Sequence, residues 1–295
     1  MFSQAAHHLG SFSWWVLVLL FGFVGYGVES SAAATLKVGG GYPYSTIQAA
    51  VDAAQNGDTI FIAQGLYKED VRIFKTGSGT PYTLTITGQG TNPQYVVLKG
   101  TMEIAIYNGS SNVNVRVAVS NLTIQGPTNL SFGGGVPAAS GIYVVGDPVL
   151  ISNCVIKDEQ YGVYLTPSNT QFGAIVTLSR TLVTNNQFGV MVTGPSTLTV
   201  SNSVVVGNGT GIVGGGTMVV RDSFFGWNGV GLGGSGLGGI KLSSGFPSTS
   251  YLTMSNTWFQ RNVPRHVGID PGYTVFTDLG GNVYRDPSTM SGISQ

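Results

Sequence analysis

Residues 178–186 read LSRTLVTNN, 200–208 read VSNSVVVGN, 220–228 read VRDSFFGWN and 254–262 read MSNTWFQRN. Aligned, all four are apolar at the first, fifth and sixth positions. The fourth position holds a small hydroxyl residue (Thr181, Ser203, Ser223, Thr257), and the ninth holds Asn186, Asn208, Asn228 or Asn262. Residues 151–159, ISNCVIKDE, form a worn copy with Cys154 in the small position. A second unit lies between these copies, Gly followed by alternating apolar residues: GIYV at 141–144, GVYL at 162–165, GVMV at 189–192, GIV at 211–213 and GIKL at 239–242. Its glycines are spaced 21, 27, 22 and 28 residues apart. A repeat of this length built from period-two apolar runs predicts coils of short strands, not helices. Three strands per coil fit, for example 162–166, 174–178 and 181–184. One coil cannot close a core, and stacked parallel coils bury a continuous one.

Stacking assigns roles by alternation. The four asparagines superpose and can hydrogen-bond along the stack at the corners. Cys154, Thr181, Ser203, Ser223 and Thr257 form a second inward ladder, which makes Cys154 a buried filler. Outward on the Gly-apolar strand come Tyr143, Tyr164, Met191, Val213 and Lys241, a column without a carboxylate. Outward on the next strand come Val155, Leu182, Val204, Phe224 and Trp258. An apolar stripe of this kind marks a subunit interface, a binding surface or a region covered by another segment, and the tail 263–290 is the segment expected to cover it. The third strand shows Thr177, Thr199, Val219 and Thr253, which read as solvated β-surface. The adjacent acids Glu69–Asp70 and Asp158–Glu159 read as solvated corners or weak cation sites. The loop 229–239 reads as a groove lining or an insertion.

The ends differ. Residues 45–57, STIQAAVDAAQNG, are apolar at i, i+3, i+4 and i+7 and predict a short helix capped by Ser45 and ended by Gly57. It covers the open N-terminal edge of the stack. Upstream, residues 14–28 are uncharged and mostly apolar, and 30–34 read SSAAA, a small-residue cleavage pattern. Residues 1–34 therefore read as a signal peptide and 35–295 as the exported domain. The n-region carries His7 and His8 but no Lys or Arg, so an uncleaved anchor at 11–28 is the alternative. Either reading places the protein outside the cytoplasm: secreted, at the cell surface, or periplasmic in a Gram-negative source. Sequons stand at Asn108, Asn121, Asn129 and Asn208.

Composition narrows the function. Only 9% of residues are charged, and 13 basic residues balance 13 acidic ones, which excludes a strongly basic nucleic-acid binder. With 42% apolar residues and no net charge the chain is not disordered. The 45 glycines follow no triplet, so it is not collagenous. One Cys and three His exclude a disulfide framework and a multi-Cys or His-rich metal site.

The string YSTIQAAVDAA at 44–54, then GDTI at 57–60, then Gly65-x-Tyr67-x-Glu69-x-Val71 resembles the entry of the pectin-lyase-like right-handed parallel β-helix proteins. The Asn corners, the Gly-apolar strands and the closing GGNVYRDP at 280–287 resemble the rest of that fold. The resemblance covers about residues 38–290 and implies a fold, an all-β right-handed parallel β-helix with a short N-terminal capping helix. It implies several activities, because the superfamily includes lyases, hydrolases, esterases, epimerases and non-catalytic surface proteins. The polygalacturonase strings Asn-Thr-Asp, Asp-Asp, Gly-His-Gly and Arg-Ile-Lys do not occur here, nor do the catalytic strings of pectin methylesterases. GIDPG at 268–272 lacks the His of the epimerase Asp-Pro-His. RNVPR at 261–265 is only loosely similar to the pectate-lyase Arg-x-Pro-x-x-Arg.

In active relatives the Gly-apolar strand forms the substrate groove. By that resemblance Tyr143, Tyr164 and Lys241 are the expected carbohydrate-binding residues, and Lys241, Arg261 and Arg265 the catalytic candidates. Two functions follow. One is an exported protein that binds, and cleaves by β-elimination, an acidic polysaccharide, with Ca²⁺ entering only as a lyase cofactor. The other is a non-catalytic extracellular scaffold or adhesion protein. Polysaccharide binding is common to both. An oligomer through the Val155–Trp258 stripe is open, and the membrane enters only through an uncleaved N-terminal segment.

Overall fold

The computed structural model describes residues 32–74, 82–105, 115–126, 139–146, 148–168, 172–229, 238–243, 249–270 and 274–285. Residues 1–31 of the expected signal peptide, the tip 230–237 of the glycine-rich loop and Asn108 and Asn129 lie outside these residues, as does the end of the closing motif, 286–287. Among the described residues no helix is long and apolar enough to cross a membrane.

The chain from Ala33 onward winds into three all-parallel sheets. The first has ten strands, from Thr35–Val38 to Thr274–Asp278. The second has nine short strands, from Gly65–Tyr67 to Val283–Arg285. The third has eight, from Val71–Phe74 to Val267–Ile269. One coil runs Pro148–Ser152, Val155–Lys157, Tyr161–Thr166, and the next begins at Ile175–Ser179. The architecture is the predicted parallel β-helix.

Five three-residue strands of the second sheet, from Val155–Lys157 to Trp258–Gln260, are bounded by left-handed residues. Before them stand Asn153 (φ 50°), Arg180 (48°), Asn202 (50°), Asp222 (51°) and Asn256 (46°), and after them Asp158 (61°), Asn185 (56°), Gly207 (65°), Trp227 (51°) and Arg261 (51°). The repeat's third and eighth positions favour Asn, Asp and Gly because those residues tolerate this conformation best.

The asparagine ladder forms inside. Asn186 Nδ2 donates to Asn208 Oδ1 at 3.0 Å, Asn208 to Asn228 at 3.0 Å and Asn228 to Asn262 at 2.8 Å. Each Oδ1 also accepts a backbone N–H from the coil before it, and each Nδ2 donates to a backbone carbonyl. The ladder explains the other repeat unit. A Cβ on Gly162, Gly189, Gly211 or Gly239 would lie 2.9–3.3 Å from the amide of the following coil's Asn and 2.2–2.5 Å from a backbone oxygen. The strand's second residue is Gly because the next coil's backbone oxygen and its Asn amide both pack on the Cα.

Cys154 is buried in the hydroxyl ladder, and burial pushes its thiol up to about 12, so it is inert at neutral pH. Asn208 is fully buried, so its sequon is closed in the folded chain.

The helix spans Ile47–Ala53 and is capped by Thr46, not Ser45: the Thr46 hydroxyl accepts from Ala49 N at 3.2 Å. Glu69 holds its first turn, its two oxygens accepting Ile47 N and Gln48 N at 2.9 Å each. Asp58 accepts Ala34 N and Gln55 N at 2.7 and 2.8 Å. These entry acids are architectural.

The tail does not fold back over the second sheet as expected. Its described part continues the coil as Val267–Ile269, Thr274–Asp278 and Val283–Arg285, one strand in each sheet. The reason is in the interior, where Tyr284 stacks on Phe259 at 5.3 Å and Phe259 on Phe225 at 5.3 Å.

Candidate functional site

The outer face of the eight-stranded sheet carries one continuous column. Arg72, Glu103, Tyr143 and Tyr164 are successive register partners. Met191, Val213, Lys241 and Gly268 complete it. The five residues expected there fall in line, but the column is not free of acids as the sequence suggested. It extends to Glu103, which is buried and pairs with Arg72 at 2.5 Å. Forty residues separate Glu103 from Tyr143 (143 − 103), against 21–28 between the later repeat glycines, which breaks the period that located the other members.

The centre of the face is aromatic. Tyr143 and Tyr164 lie 5.5 Å apart, Tyr161 stacks on Tyr164 at 5.1 Å, and Phe188 stacks on Tyr161 at 5.4 Å. All four are half-buried. Burial and then the neighbouring Tyr161 raise the Tyr164 phenol above its ordinary 10, against a lowering hydrogen bond with Thr193. Tyr161 and Phe188 were missed, although each immediately precedes a repeat glycine, Gly162 or Gly189.

The C-terminal end of the face is charged. Gly268 leaves a gap in the column, and a Cβ there would meet Lys241 Cδ at 3.2 Å and Arg265 Cδ at 3.9 Å. Lys241 and Arg265 thus converge over Gly268, and the Lys241 ammonium donates to Asp270 Oδ1. Among the described residues Arg265 pairs with no carboxylate. Arg261 is set apart, on a left-handed corner between the second and third sheets. Among the described residues no group of three or more His, Cys, Asp or Glu could hold a metal ion.

The stripe on the nine-stranded sheet is also in register, Val155–Leu182–Val204–Phe224–Trp258–Val283. Its C-terminal half forms a shallow groove of about 630 Å³ against the corner residues Asn202, Asp222 and Asn256.

Three in-register parallel sheets around a closed core, with aromatic and charged columns outside, define a parallel β-helix protein. The chain belongs to the family described as right handed beta helix region, which matches residues 103–284, and the helix is right-handed. Among curated proteins no sequence matches the chain. Among solved structures it is similar to a pectin methylesterase from Aspergillus niger (14% identity, 90% of this chain and 92% of that one, TM-score 0.53). It is also similar to the pectin methylesterase PemA from Erwinia chrysanthemi (12% identity, 88% and 91%, TM-score 0.53). A third is a pectin methylesterase in complex with a hexasaccharide (12% identity, 88% and 91%, TM-score 0.53).

Proposed function

We propose that the protein is exported and binds an acidic polysaccharide along the outer face of the eight-stranded sheet. The observation that carries this is the plate of Tyr143, Tyr161, Tyr164 and Phe188 in line with the Lys241–Arg265 pair. Aromatic rings take the apolar faces of pyranose rings. Tyr164 and Lys241 are three column steps apart, roughly 14 Å at the parallel-strand spacing. A chain stacked on the tyrosines then brings a uronate carboxylate to Arg265, whose guanidinium pairs it in bidentate fashion. Fold neighbours include a pectin methylesterase bound to a hexasaccharide, which is consistent with this reading.

Binding is favoured over β-elimination. That reaction needs a base to take the proton beside the uronate carboxyl while the bond to the leaving sugar oxygen breaks. The Lys241 side-chain nitrogen is engaged by Asp270 Oδ1.

The test is calorimetric titration with hexagalacturonate. The Tyr143→Val, Tyr164→Val double variant and Arg265→Ala are each expected to bind tenfold or more weakly. Unchanged affinity in both refutes the reading. Accumulation of an ultraviolet-absorbing unsaturated product that Lys241→Ala abolishes would replace it with the lyase.

A further inference from the structure

The groove on the nine-stranded sheet has a different chemistry from the face just described. Its floor is Val204, Phe224 and Trp258, one residue per coil. Trp258 is 47% exposed. The Phe224 ring lies over Gly226, where a Cβ would approach it to 2.7 Å, and meets the Trp227 ring at 5.9 Å in a tilted pair. The Arg285 guanidinium sits 5.0 Å from the Trp258 ring centroid and holds the indole from one side. The rim is polar, made of the left-handed corners Asn202, Asp222 and Asn256, also one per coil. Asn256 Nδ2 donates to Asp222 Oδ1 at 3.2 Å, and Asp222 pairs with no cation among the described residues.

We infer that this groove is a second carbohydrate site, and that it takes a neutral, equatorially linked pyranose chain. An aromatic floor with a row of acceptors along one edge suits a sugar ring, which has an apolar C–H face and hydroxyls at its rim. Floor and rim both repeat at about 4.8 Å along the axis, close to the length of one pyranose unit, so successive rings meet equivalent residues. Charge selects the ligand. Asp222 accepts hydroxyl donors, and its charge is balanced by Arg285 on the Trp258 ring, so the groove offers a polyuronate no net attraction, whereas Arg265 on the eight-stranded sheet attracts one. The two faces would then bridge polymers of opposite character.

The experiment titrates the full chain with cellohexaose, xylohexaose and hexagalacturonate, following tryptophan fluorescence and heat. Trp258→Val is the decisive variant, because Val204 and Val155 stand at this position in other coils and the substitution keeps the fold. The expected result is binding of a neutral hexaose weakened about tenfold or more by Trp258→Val and unchanged in the Tyr143→Val, Tyr164→Val double variant. Asp222→Asn keeps the corner conformation and is expected to admit hexagalacturonate to the groove. Three outcomes would each overturn the inference: no binding of either neutral hexaose, neutral binding indifferent to Trp258→Val, or a dimer in sedimentation that Trp258→Val dissociates. These readouts are independent of the eight-stranded face, so either site can fail alone.

Discussion

Glu159 occupies the ninth position of the worn repeat, where the other coils carry Asn. It continues the amide ladder by its backbone: Glu159 N donates to Asn186 Oδ1 at 3.0 Å. Its side chain is 5% exposed, and both carboxyl oxygens are buried without a hydrogen-bond partner among the described residues. Burial first, then the charges of Asp158 and Asp70, push the carboxyl from 4.5 to about 9. The acid is neutral in the fold at pH 7 and ionised in the unfolded chain. Its contribution to stability is therefore full below about pH 4.5 and is lost as pH rises toward about 9. Glu159→Asn is expected to stabilise the protein, by an excess that grows across this window to the order of a few kcal/mol. Thermal melts at pH 4, 7 and 9 check it, and an excess independent of pH refutes it. The position of Glu159 was legible from the repeat. Its chemistry was not, because Asp70 approaches from another coil, 89 residues earlier in the chain (159 − 70).

At the scale of the element, the unit is a glycine and the asparagine of the next coil. Gly189 does not have a positive φ; it is glycine for close approach alone, since a Cβ there would lie 2.4 Å from Gly211 O and 3.3 Å from Asn208 Cγ. Backbone oxygen cannot move without parting the sheet, so Gly189→Ala is expected to destabilise by about 2–3 kcal/mol. Asn208→Ala removes the acceptor of Asn186 N and one of the two acceptors of Asn186 Nδ2, and takes a donor from the buried Val183 carbonyl. It should cost about as much or more. Urea unfolding measures both, and a loss under about 0.5 kcal/mol in either would contradict the lock. Both halves of this pair were visible in the sequence as separate repeats; their mutual dependence appears only when adjacent coils are superposed. The capping helix was legible too, but not its anchor. Glu69 lies 22 residues from Ile47 (69 − 47), and nothing local shows that its carboxylate closes the helix start.

The whole molecule is quasi-one-dimensional, so its stability is a sum of coil and neighbour terms and need not be uniform along the axis. The N-terminal end is closed by the helix, by the Glu69 and Asp58 carboxylates, and by the Tyr67 hydroxyl, which donates to Ala63 O at 2.9 Å. The middle holds the amide ladder, every member fully buried. Among the described residues the C-terminal end has neither. The final strand of the first sheet, Thr274–Asp278, is exposed or half-exposed throughout, and the buried Tyr284 hydroxyl has no partner among the described residues. Amide hydrogen exchange is therefore expected to be slowest over about 182–206. It should be faster by an order of magnitude or more at 274–285 than at 59–62, although both are terminal coils. The asymmetry follows from the caps and not from strand content, since both ends carry regular parallel pairs. Glu69→Gln should erase it by loosening the helix, bringing exchange at 59–62 toward that at 274–285. Equal exchange at both ends of the unaltered chain would show that the helix covers the N-terminal edge without stabilising it.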